Sequence, residues 1–270
     1  MEWKEYFSGK KLYGDDFTLK QIKQWYDEEE DAYANLAKLN GEEDEYIYHE
    51  LNKFYAFNKL KGHYFKNALG FGSAYGHEFI PIIDQIGHLT IIEPSEKLKS
   101  EVIGHLKPLY VKPELSGKIP FESNTFDLIT CFGVLHHICN VSFVLTELIR
   151  VLAPGGYLII REPIISMGDW RFPRPGLTKN ERGIPGHIFL EVFKANEVEI
   201  ISKHYMLTLH YQFSTMYYRL FKRSILKNRI YLIFDKYLSL FTRWNLHYHA
   251  QNRWQRIAPN NIMFVVRKKL

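Results

Sequence analysis

One stretch of the sequence decides the fold, and it reads Glu147-Leu148-Ile149-Arg150-Val151-Leu152-Ala153-Pro154-Gly155-Gly156-Tyr157-Leu158-Ile159-Ile160. Its first half continues a helical pattern over 141–152, in which apolar residues recur on one face. Asn140 stands where a side chain can cap the start of this helix, and Arg150 suits its negative C-terminal end. The turn 154–156 ends the helix and precedes an apolar run. The stretch therefore predicts a helix, a tight turn and a buried strand, in that order.

The same alternation of strand and helix runs through the middle of the chain. Short apolar runs punctuated by glycine predict six strands, at 65–69, 88–92, 126–132, 157–161, 198–204 and 262–267. Strands that alternate with helices form a parallel sheet covered on both faces, so we expect an α/β fold. The first sixty residues instead show helical spacing around a turn at Asn40-Gly41. Because 57 residues separate the last two strands, we expect an insertion of one or two helices there.

Length and composition are those of a folded chain. The 270 residues are 46% hydrophobic and 24% charged, which excludes disordered and collagen-like proteins. Only two cysteines occur, Cys131 and Cys139, and we expect both to be free thiols in a reducing compartment. The first residues lack the apolar core of a signal peptide, and no run approaches the roughly 18 apolar residues that span a bilayer. The sequence therefore predicts a cytoplasmic protein.

Charge is distributed unevenly along the chain. Residues 201–270 contain 13 lysines or arginines against Asp235 alone, whereas residues 1–200 carry 22 basic and 29 acidic residues. Aromatic residues are interleaved with the basic ones over 205–260. Such a segment can bind RNA, can seat at an anionic membrane surface, or can form an ordinary subdomain or dimer surface. Because no recognised RNA-binding module is present, nucleic acid is the least favoured of the three.

A glycine-rich turn follows the first predicted strand. Gly70 and Gly72 allow the backbone to approach a ligand, and the turn presents amide hydrogens to an anionic group. The fingerprint of NAD-binding turns needs a third glycine where Tyr75 stands, so dinucleotide binding is disfavoured. Glu93 ends the next strand 21 residues after Gly72, a distance at which a carboxylate accepts hydrogen bonds from the ribose hydroxyls of an adenosine.

Three further motifs complete the pattern: Ile119-Pro120-Phe121 ahead of strand 126–132, Val134-Leu135-His136-His137-Ile138 after it, and the stretch 147–160. Together with the glycine-rich turn and Glu93, they closely resemble the class I S-adenosylmethionine-dependent methyltransferases of the type 11 group. The resemblance covers 65–204 and resumes at 262–267. It implies a Rossmann-like, doubly wound sheet of seven strands with a reversed last strand, and S-adenosylmethionine bound at the C-terminal edges of the strands.

The resemblance also implies cofactor-binding residues. They are Gly70, Phe71 and Gly72 against the methionine part, Glu93 on the ribose, Pro94 beside the adenine, and Phe132 and Gly133 at the methyl-bearing end. Two positions depart from the family. Ala68 stands where the family usually has an acid that organises the cofactor's amino end, and Leu115 or Ser116 replaces the acid that contacts adenine. Both changes would weaken the affinity for the cofactor.

Candidate catalytic residues follow from the chemistry. Methyl transfer from a sulfonium is an in-line displacement, so the site must mainly hold donor and acceptor in line and exclude water. A hydroxyl acceptor would also need a general base, and His136 and His137 stand just after strand 126–132. Glu162 and His187 are comparable candidates, and both histidines of the pair could instead serve only packing.

The long loop 163–186 is a candidate binding loop. Loops of this length often form lids over a site. Its Arg171 and Arg174 could bind a phosphate or carboxylate of the acceptor, or the loop could simply be solvated. No metal site is predicted, because His247 and His249 lack recognisable further ligands.

We expect three parts: an N-terminal helical cap over 1–60, a methyltransferase domain over 61–204 and 261–270, and a basic, aromatic-rich insertion over 205–260. The leading hypothesis is an S-adenosylmethionine-dependent methyltransferase acting on a small or lipid-linked acceptor, for example a sugar hydroxyl. The insertion makes a membrane surface a candidate partner. The alternative is a non-catalytic, methyltransferase-like protein whose insertion binds membrane or nucleic acid. The pattern does not indicate an oligomeric state.

Overall fold

The computed structural model of the chain describes residues 3–39 and 46–270. The predicted turn at Asn40-Gly41 lies outside these residues. Seven strands form one sheet: β1 (Phe65–Phe71), β2 (Ile86–Ile92), β3 (Leu109–Val111), β4 (Phe126–Phe132), β5 (Leu152–Pro163), β6 (Val198–Met206) and β7 (Asn261–Lys268). Their order is β3-β2-β1-β4-β5-β7-β6. Strand β7 runs antiparallel to both β5 and β6, whereas the other neighbouring pairs are parallel.

The sheet is the predicted Rossmann-like sheet with a reversed last strand. Six strands occur where apolar runs predict them. Strand β3 was not predicted because its three residues, Leu109–Val111, make an apolar run too short to indicate a strand. The strand order changes direction between β1 and β4, and ligands of such sheets bind at the C-terminal edge of that point.

Helices cover both faces of the sheet. Those described are α1 (Trp3–Phe7), α2 (Leu19–Leu39), α3 (His49–Tyr55), α4 (Val141–Val151), α5 (Gly186–Ala195), α6 (His210–Phe221) and α7 (Arg229–Thr242). Helices α4 and α5 contribute Leu145 and Phe189 to the apolar core on one face. Helices α3 and α7 contribute Leu51 and Leu232 to the core on the other face. Because α6 and α7 lie between β6 and β7, the segment before the last strand holds two helices, as expected.

The cap of α4 differs from the expected one. Asn140 occupies the N-cap position of α4, but its side-chain amide donates to the carbonyl of Ser116 and does not cap the helix. Asp15 caps α4 instead, since its carboxylate accepts from the backbone nitrogen and hydroxyl of Ser142 at 2.8 and 2.6 Å. The segment after the glycine-rich turn forms a 3₁₀ helix over His77–Gln85.

Two whole-chain expectations can also be compared with the structure. Cys131 and Cys139 are both buried and free of disulfides. Within residues 3–39 and 46–270, none of the helices combines the length and the apolar character needed to cross a membrane.

Candidate active site

Two cavities meet at the C-terminal edge of the sheet. The smaller has a volume of about 130 Å³ and the larger a volume of about 530 Å³. Gly72, from the turn after β1, and Gly133 and His137, from the turn after β4, line both cavities. These shared residues form the boundary between two adjoining compartments, so one elongated ligand could extend across both.

The smaller cavity is an apolar slot with a carboxylate in its wall. Its apolar lining includes Phe71, Ile92, Pro94, Leu115, Ile138 and Val144. Glu93 is 1% exposed, and its carboxylate accepts hydrogen bonds from the backbone nitrogens of Ala74 at 3.1 Å and Ser95 at 3.0 Å. A buried carboxylate held in this way is a fixed acceptor in the wall of the slot. The slot suits a flat ring that carries hydroxyl groups at one end.

The two glycines of the turn after β1 serve different purposes. Gly72 has a φ of +66°, and Val134 packs where its β-carbon would stand. Gly70 lies within β1, where Ser73 and Phe79 pack against its α-carbon. Of the predicted cofactor-binding residues, Gly70 supports the turn without lining a cavity, and the residues that do line a cavity are Phe71, Gly72, Glu93, Pro94, Phe132 and Gly133.

Helix α2 and the 163–186 loop cover this edge of the sheet. Trp25 and Glu29 of α2 line the smaller cavity. The indole nitrogen of Trp25 donates to the carbonyl of His137 at 2.6 Å. The carboxylate of Glu29 lies 3.0 Å from Nδ1 of His137 and accepts from the hydroxyl of Thr178, in the loop, at 2.5 Å. Helix α2 and the 163–186 loop are therefore hydrogen-bonded to each other and, through α2, to the turn after β4. Together they limit the access of water to that turn.

His136 is held between two carboxylates. Its Nδ1 lies 2.8 Å from Glu162 and its Nε2 lies 3.5 Å from Glu181. Burial would lower the pKa of His136, but hydrogen bonds to these carboxylates and their charges raise it to about 9. Burial would raise the pKa of Glu181, but the hydrogen bond from His136 and the charges of both histidines lower it to about 2. His136 is therefore an imidazolium at neutral pH and lacks the free lone pair that a general base requires.

Glu162 holds the turn after β4 in place. The side chain is fully buried, and Oε1 accepts from the backbone nitrogens of Val134 at 2.7 Å and Leu135 at 2.9 Å. Its other oxygen faces His136. With both oxygens engaged, Glu162 positions this turn and is not free to accept a substrate proton. His187, the other candidate base, lies in the first turn of α5 and lines neither cavity.

Of the two adjacent histidines, His136 lines only the larger cavity, whereas His137 lines both. Ligand atoms of His136, His137 and Glu181 lie within 4.8 Å of one another, a spacing that could suit a metal ion. However, a metal ligand must be a neutral imidazole, and both ring nitrogens of His136 face carboxylates that hold its proton. The cluster is therefore best described as a network of paired charges.

Glu78 is a buried acid that the sequence did not indicate as a site residue. It lines the larger cavity and is 4% exposed. Its Oε1 accepts from the hydroxyl of Ser73 at 2.6 Å and from that of Thr130, in β4, at 3.1 Å. Burial raises the pKa of Glu78 to about 7 even though both hydrogen bonds lower it. This carboxyl group would become fully ionised if a cation were bound beside it.

Arg161 is a second buried charge of the larger cavity. It lies near the end of β5 and is 5% exposed. Its guanidinium donates to the amide oxygen of Asn52 at 2.8 Å and lies 3.9 Å from the centre of the Tyr48 ring. Because this hydrogen-bond partner is an amide, the positive charge can still pair with an anionic ligand group.

The arginines predicted for acceptor binding lie elsewhere. Arg171 forms a two-pronged ion pair with Asp169 at 2.8 and 2.5 Å. Arg174 donates to the carbonyls of Met167 and Thr178, both at 3.1 Å. Neither arginine lines either of the two cavities described above, where the acceptor is expected. They hold the 163–186 loop in its own conformation.

The comparisons with known proteins agree with this architecture. Residues 69–160 match the family model described as a methyltransferase domain. The match agrees with the predicted resemblance of this region to the class I methyltransferases of the type 11 group. An uncharacterized methyltransferase of Schizosaccharomyces pombe is 32% identical over 87 residues, which make up 28% of this chain. The match spans only 31% of the length of that relative.

Solved structures share the fold across most of the chain. YcgJ from Bacillus subtilis has a TM-score of 0.53 at 16% identity, over 82% of this chain and 99% of its own. A chain from the Haloferax volcanii complex of the Trm112 methyltransferase activator with a methyltransferase has a TM-score of 0.56 at 14% identity, over 90% and 99%. The [4+2]-cyclase SpnF has a TM-score of 0.54 at 17% identity, over 94% and 98%. A cyclase among these structures illustrates that the fold alone does not fix the reaction.

The cofactor of this domain family is S-adenosylmethionine, and the residues present fit it. The apolar slot with Glu93 in its wall matches an adenosine with its two ribose hydroxyls. The buried carboxyl of Glu78 offers a partner for an ammonium group in the adjoining cavity. An apolar slot and two acidic groups suit a cationic nucleoside better than they suit a dinucleotide with its pyrophosphate.

Proposed function

We propose that the protein is an S-adenosylmethionine-dependent methyltransferase that acts on a small or lipid-linked acceptor, such as a sugar hydroxyl. The observation that carries this proposal is the meeting of an apolar slot and a larger, polar cavity at Gly72 and Gly133. The bound cofactor would supply an electrophilic methyl group. The slot would hold the adenosine, and the larger cavity would hold the methionine end together with the acceptor.

Glu78 compensates for the family acid that is missing at Ala68. Ala68 lies fully buried in β1, and an acid at that position would approach the amino end of the cofactor. The carboxyl of Glu78 bonds to Thr130 of β4, the strand that pairs with β1. It therefore reaches the same edge of the sheet from the segment that follows the glycine-rich turn. In this proposal Glu78 binds the ammonium group and Glu93 binds the ribose.

The larger cavity also indicates what an acceptor offers. Arg161 would pair with a carboxylate or phosphate, and the Tyr48 ring beneath it restricts that group to one side of the guanidinium. His210 lines the same cavity, and burial lowers its pKa to about 4, so this imidazole is neutral at pH 7. With His136 protonated, the other histidines that line the larger cavity, His77, His137 and His210, are the candidates to accept a proton from an acceptor hydroxyl.

Calorimetric titration of the purified protein tests the cofactor assignment. We expect S-adenosylhomocysteine and S-adenosylmethionine to bind with micromolar affinity and NADH to give no binding heat. The physical reason is that the largely apolar slot with the carboxylate of Glu93 in its wall suits an uncharged adenosine better than an anionic pyrophosphate. Binding of NADH alone, or of none of the three by the folded protein, would contradict the proposal.

Replacement of Glu93 by Ala tests the ribose contact. Loss of two charge-assisted hydrogen bonds should weaken S-adenosylhomocysteine binding by about tenfold or more. Glu96→Ala, which removes an exposed glutamate three residues further along, should leave the affinity unchanged. Equal affinities of the Glu93→Ala variant and the wild type would refute the ribose role of Glu93.

A further inference from the structure

Helix α7 presents its apolar side to solvent and buries a partly polar one. The exposed stripe repeats at helical spacing, and its ends, Ile230 and Phe241, are 79% and 77% exposed. The other exposed members are Ile233, Phe234, Tyr237 and Leu240. The side that packs against the protein includes Asp235 and Ser239, which are buried. A helix of a water-soluble protein ordinarily has the opposite orientation.

Hydrogen bonds fix α7 in this orientation. The carboxylate of Asp235 accepts from the backbone nitrogens of Leu207 at 2.7 Å and Thr208 at 3.0 Å. The hydroxyls of Ser239 and Thr208 lie 2.8 Å apart. Rolling the helix to bury its apolar stripe would break these bonds and leave buried backbone donors unpaired, which is costly. The apolar stripe is therefore a stable feature of the folded chain.

Helix α6, which the short segment 222–228 joins to α7, and the turn after α7 carry further exposed apolar side chains. Helix α6 has no buried residue, although it carries large apolar side chains. Trp244, just after α7, is 82% exposed. We call this surface the α6–α7 face and define it by Met216, Leu220, Phe221, Ile230, Ile233, Phe234, Tyr237, Leu240, Phe241 and Trp244. So many exposed apolar side chains on adjoining helices are unusual for a surface that faces only water.

The charges around the face identify what covers it. Lysines and arginines interrupt and flank the apolar residues, at Arg219, Lys222, Arg223, Lys227, Arg229, Lys236 and Arg243. The acidic residue of 201–270 is Asp235, which is buried, so the face carries positive charge without compensation from this segment. In a symmetric dimer through this face, a second copy of the chain would bring the same charge to the contact and would be repelled. An anionic surface is the complementary partner.

The kind of apolar residue separates a membrane from a nucleic acid. RNA-binding surfaces use aromatic rings on which bases stack. Here the stripe is partly aliphatic, with Ile230, Ile233 and Leu240 among its exposed members, and aliphatic side chains give bases no ring to stack on. A bilayer accepts aliphatic and aromatic side chains alike at the level of its acyl chains, while lysine and arginine reach the headgroups.

We propose that the α6–α7 face docks on an anionic lipid bilayer and brings the mouth of the larger cavity to the membrane surface. His210 and Tyr211, in the first turn of α6, both line that cavity. Tyr211 is also 61% exposed, so it lies where the cavity opens to solvent. The acceptor then enters from the bilayer, as a lipid or a lipid-linked molecule. This second step rests on the proposed methyltransferase function, whereas the docking does not.

Vesicle sedimentation of the full chain tests the docking. We expect binding to vesicles of phosphatidylcholine mixed with phosphatidylserine, weaker binding to phosphatidylcholine alone, and a decline as salt is added. A triple variant with Ile230→Ser, Phe234→Ser and Phe241→Ser should lose on the order of a hundredfold in vesicle affinity, because three side chains no longer leave water. Phe143→Ser, at an exposed position of α4 on the opposite side of the sheet, is the matched control and should bind as the wild type does.

Several results would overturn the docking proposal. They are absence of binding to the anionic vesicles, equal binding to neutral and anionic ones, and retention of binding by the triple variant. A wild-type dimer in light scattering that the triple variant abolishes would identify a second copy as the partner. Tight binding of single-stranded RNA that is lost in the same variant would identify a nucleic acid.

The acceptor step and the methyltransferase function fail in distinguishable ways. The triple variant should bind S-adenosylhomocysteine as the wild type does, because its changes lie outside both cavities. With methyl-labelled cofactor and vesicles of total membrane lipid, the wild type should transfer label to the solvent-extractable fraction, and the triple variant should transfer far less. Vesicle binding without cofactor binding would refute the proposed function and leave the docking intact. Equal lipid labelling by both proteins would refute the route from the bilayer.

Discussion

Replacement of Glu162 by Gln should lower the free energy of unfolding by about 3–5 kcal/mol. The carboxylate is fully buried and supports both the turn after β4 and the protonated ring of His136. Removing its charge leaves an imidazolium in a buried site with a single carboxylate, Glu181, at the longer distance of 3.5 Å. Chemical denaturation of the two proteins at neutral pH measures the difference.

A matched variant separates this effect from a general one. Glu191→Gln removes the same charge from an exposed position of α5 and should change the free energy of unfolding by no more than about 0.5 kcal/mol. If Glu162→Gln is also that small, the carboxylate does not support the turn as described, and His136 need not be charged.

The same ion pair gives stability a defined dependence on pH. Because the pKa of His136 is raised from its ordinary value to about 9, its contribution is complete below about pH 6.5 and is lost as the pH rises through 9. The free energy of unfolding should therefore fall by on the order of 3 kcal/mol over that range. In Glu162→Gln the fall should be much smaller, because the nearer of the two carboxylates that raise the pKa of His136 is gone. Denaturation curves at a series of pH values measure both slopes, and parallel slopes would refute the assignment.

Features that depend on neighbouring residues could be predicted from the sequence, and features that depend on residues far apart in the chain could not. The strand 126–132 and the helix after it could be predicted because apolar periodicity and a Pro-Gly-Gly turn are local signals. The three-residue strand β3 could not be predicted, because its place is set by pairing with β2. The cap of α4 could not be predicted either, because Asp15 lies 127 residues from Ser142 along the chain.

The same distinction between local and distant contacts applies to the candidate site. Glu93 could be assigned because it ends a strand at a fixed distance from the glycine-rich turn, and it does line the smaller cavity. Glu78 and Arg161 could not, since Glu78 acquires its role through Thr130 of a distant strand and Arg161 through Asn52 of α3. For His136, the sequence indicated a histidine near the site but could not indicate that two carboxylates flank the ring and stabilise its protonated form.

The orientation of α7 was also beyond a local argument. Its periodicity indicates a helix with an apolar stripe, and such a stripe ordinarily faces the core. The buried contacts of Asp235 with the backbone at Leu207 and Thr208 decide the opposite. The exposed apolar surface of α7 therefore depends on contacts of Asp235 that only the folded structure shows.

Affinity for S-adenosylhomocysteine should depend on pH through Glu78. Burial raises the pKa of this carboxyl to about 7, and only the ionised form pairs with the ligand's ammonium group. The dissociation constant should therefore increase by about tenfold between pH 8 and pH 6, as Glu78 becomes protonated in the free protein. Glu78→Gln should show the weaker affinity at both pH values, with the dependence on pH abolished. Calorimetric titrations at the two pH values measure these constants.

5′-Methylthioadenosine provides the decisive comparison, because it keeps the adenosine and the sulfur but has no amino-acid end. Its affinity should change little with pH or with Glu78→Gln, since it occupies the slot around Glu93 and leaves Glu78 without a cation. Glu101→Gln, at an exposed position, should affect neither ligand. If Glu78→Gln weakens both ligands equally, Glu78 shapes the cavity through Ser73 and Thr130 and binds no ammonium group. In that case Glu78 does not replace the acid that the family has where Ala68 stands. The affinity of the wild type for S-adenosylhomocysteine should then be weak, as the loss of that acid predicts.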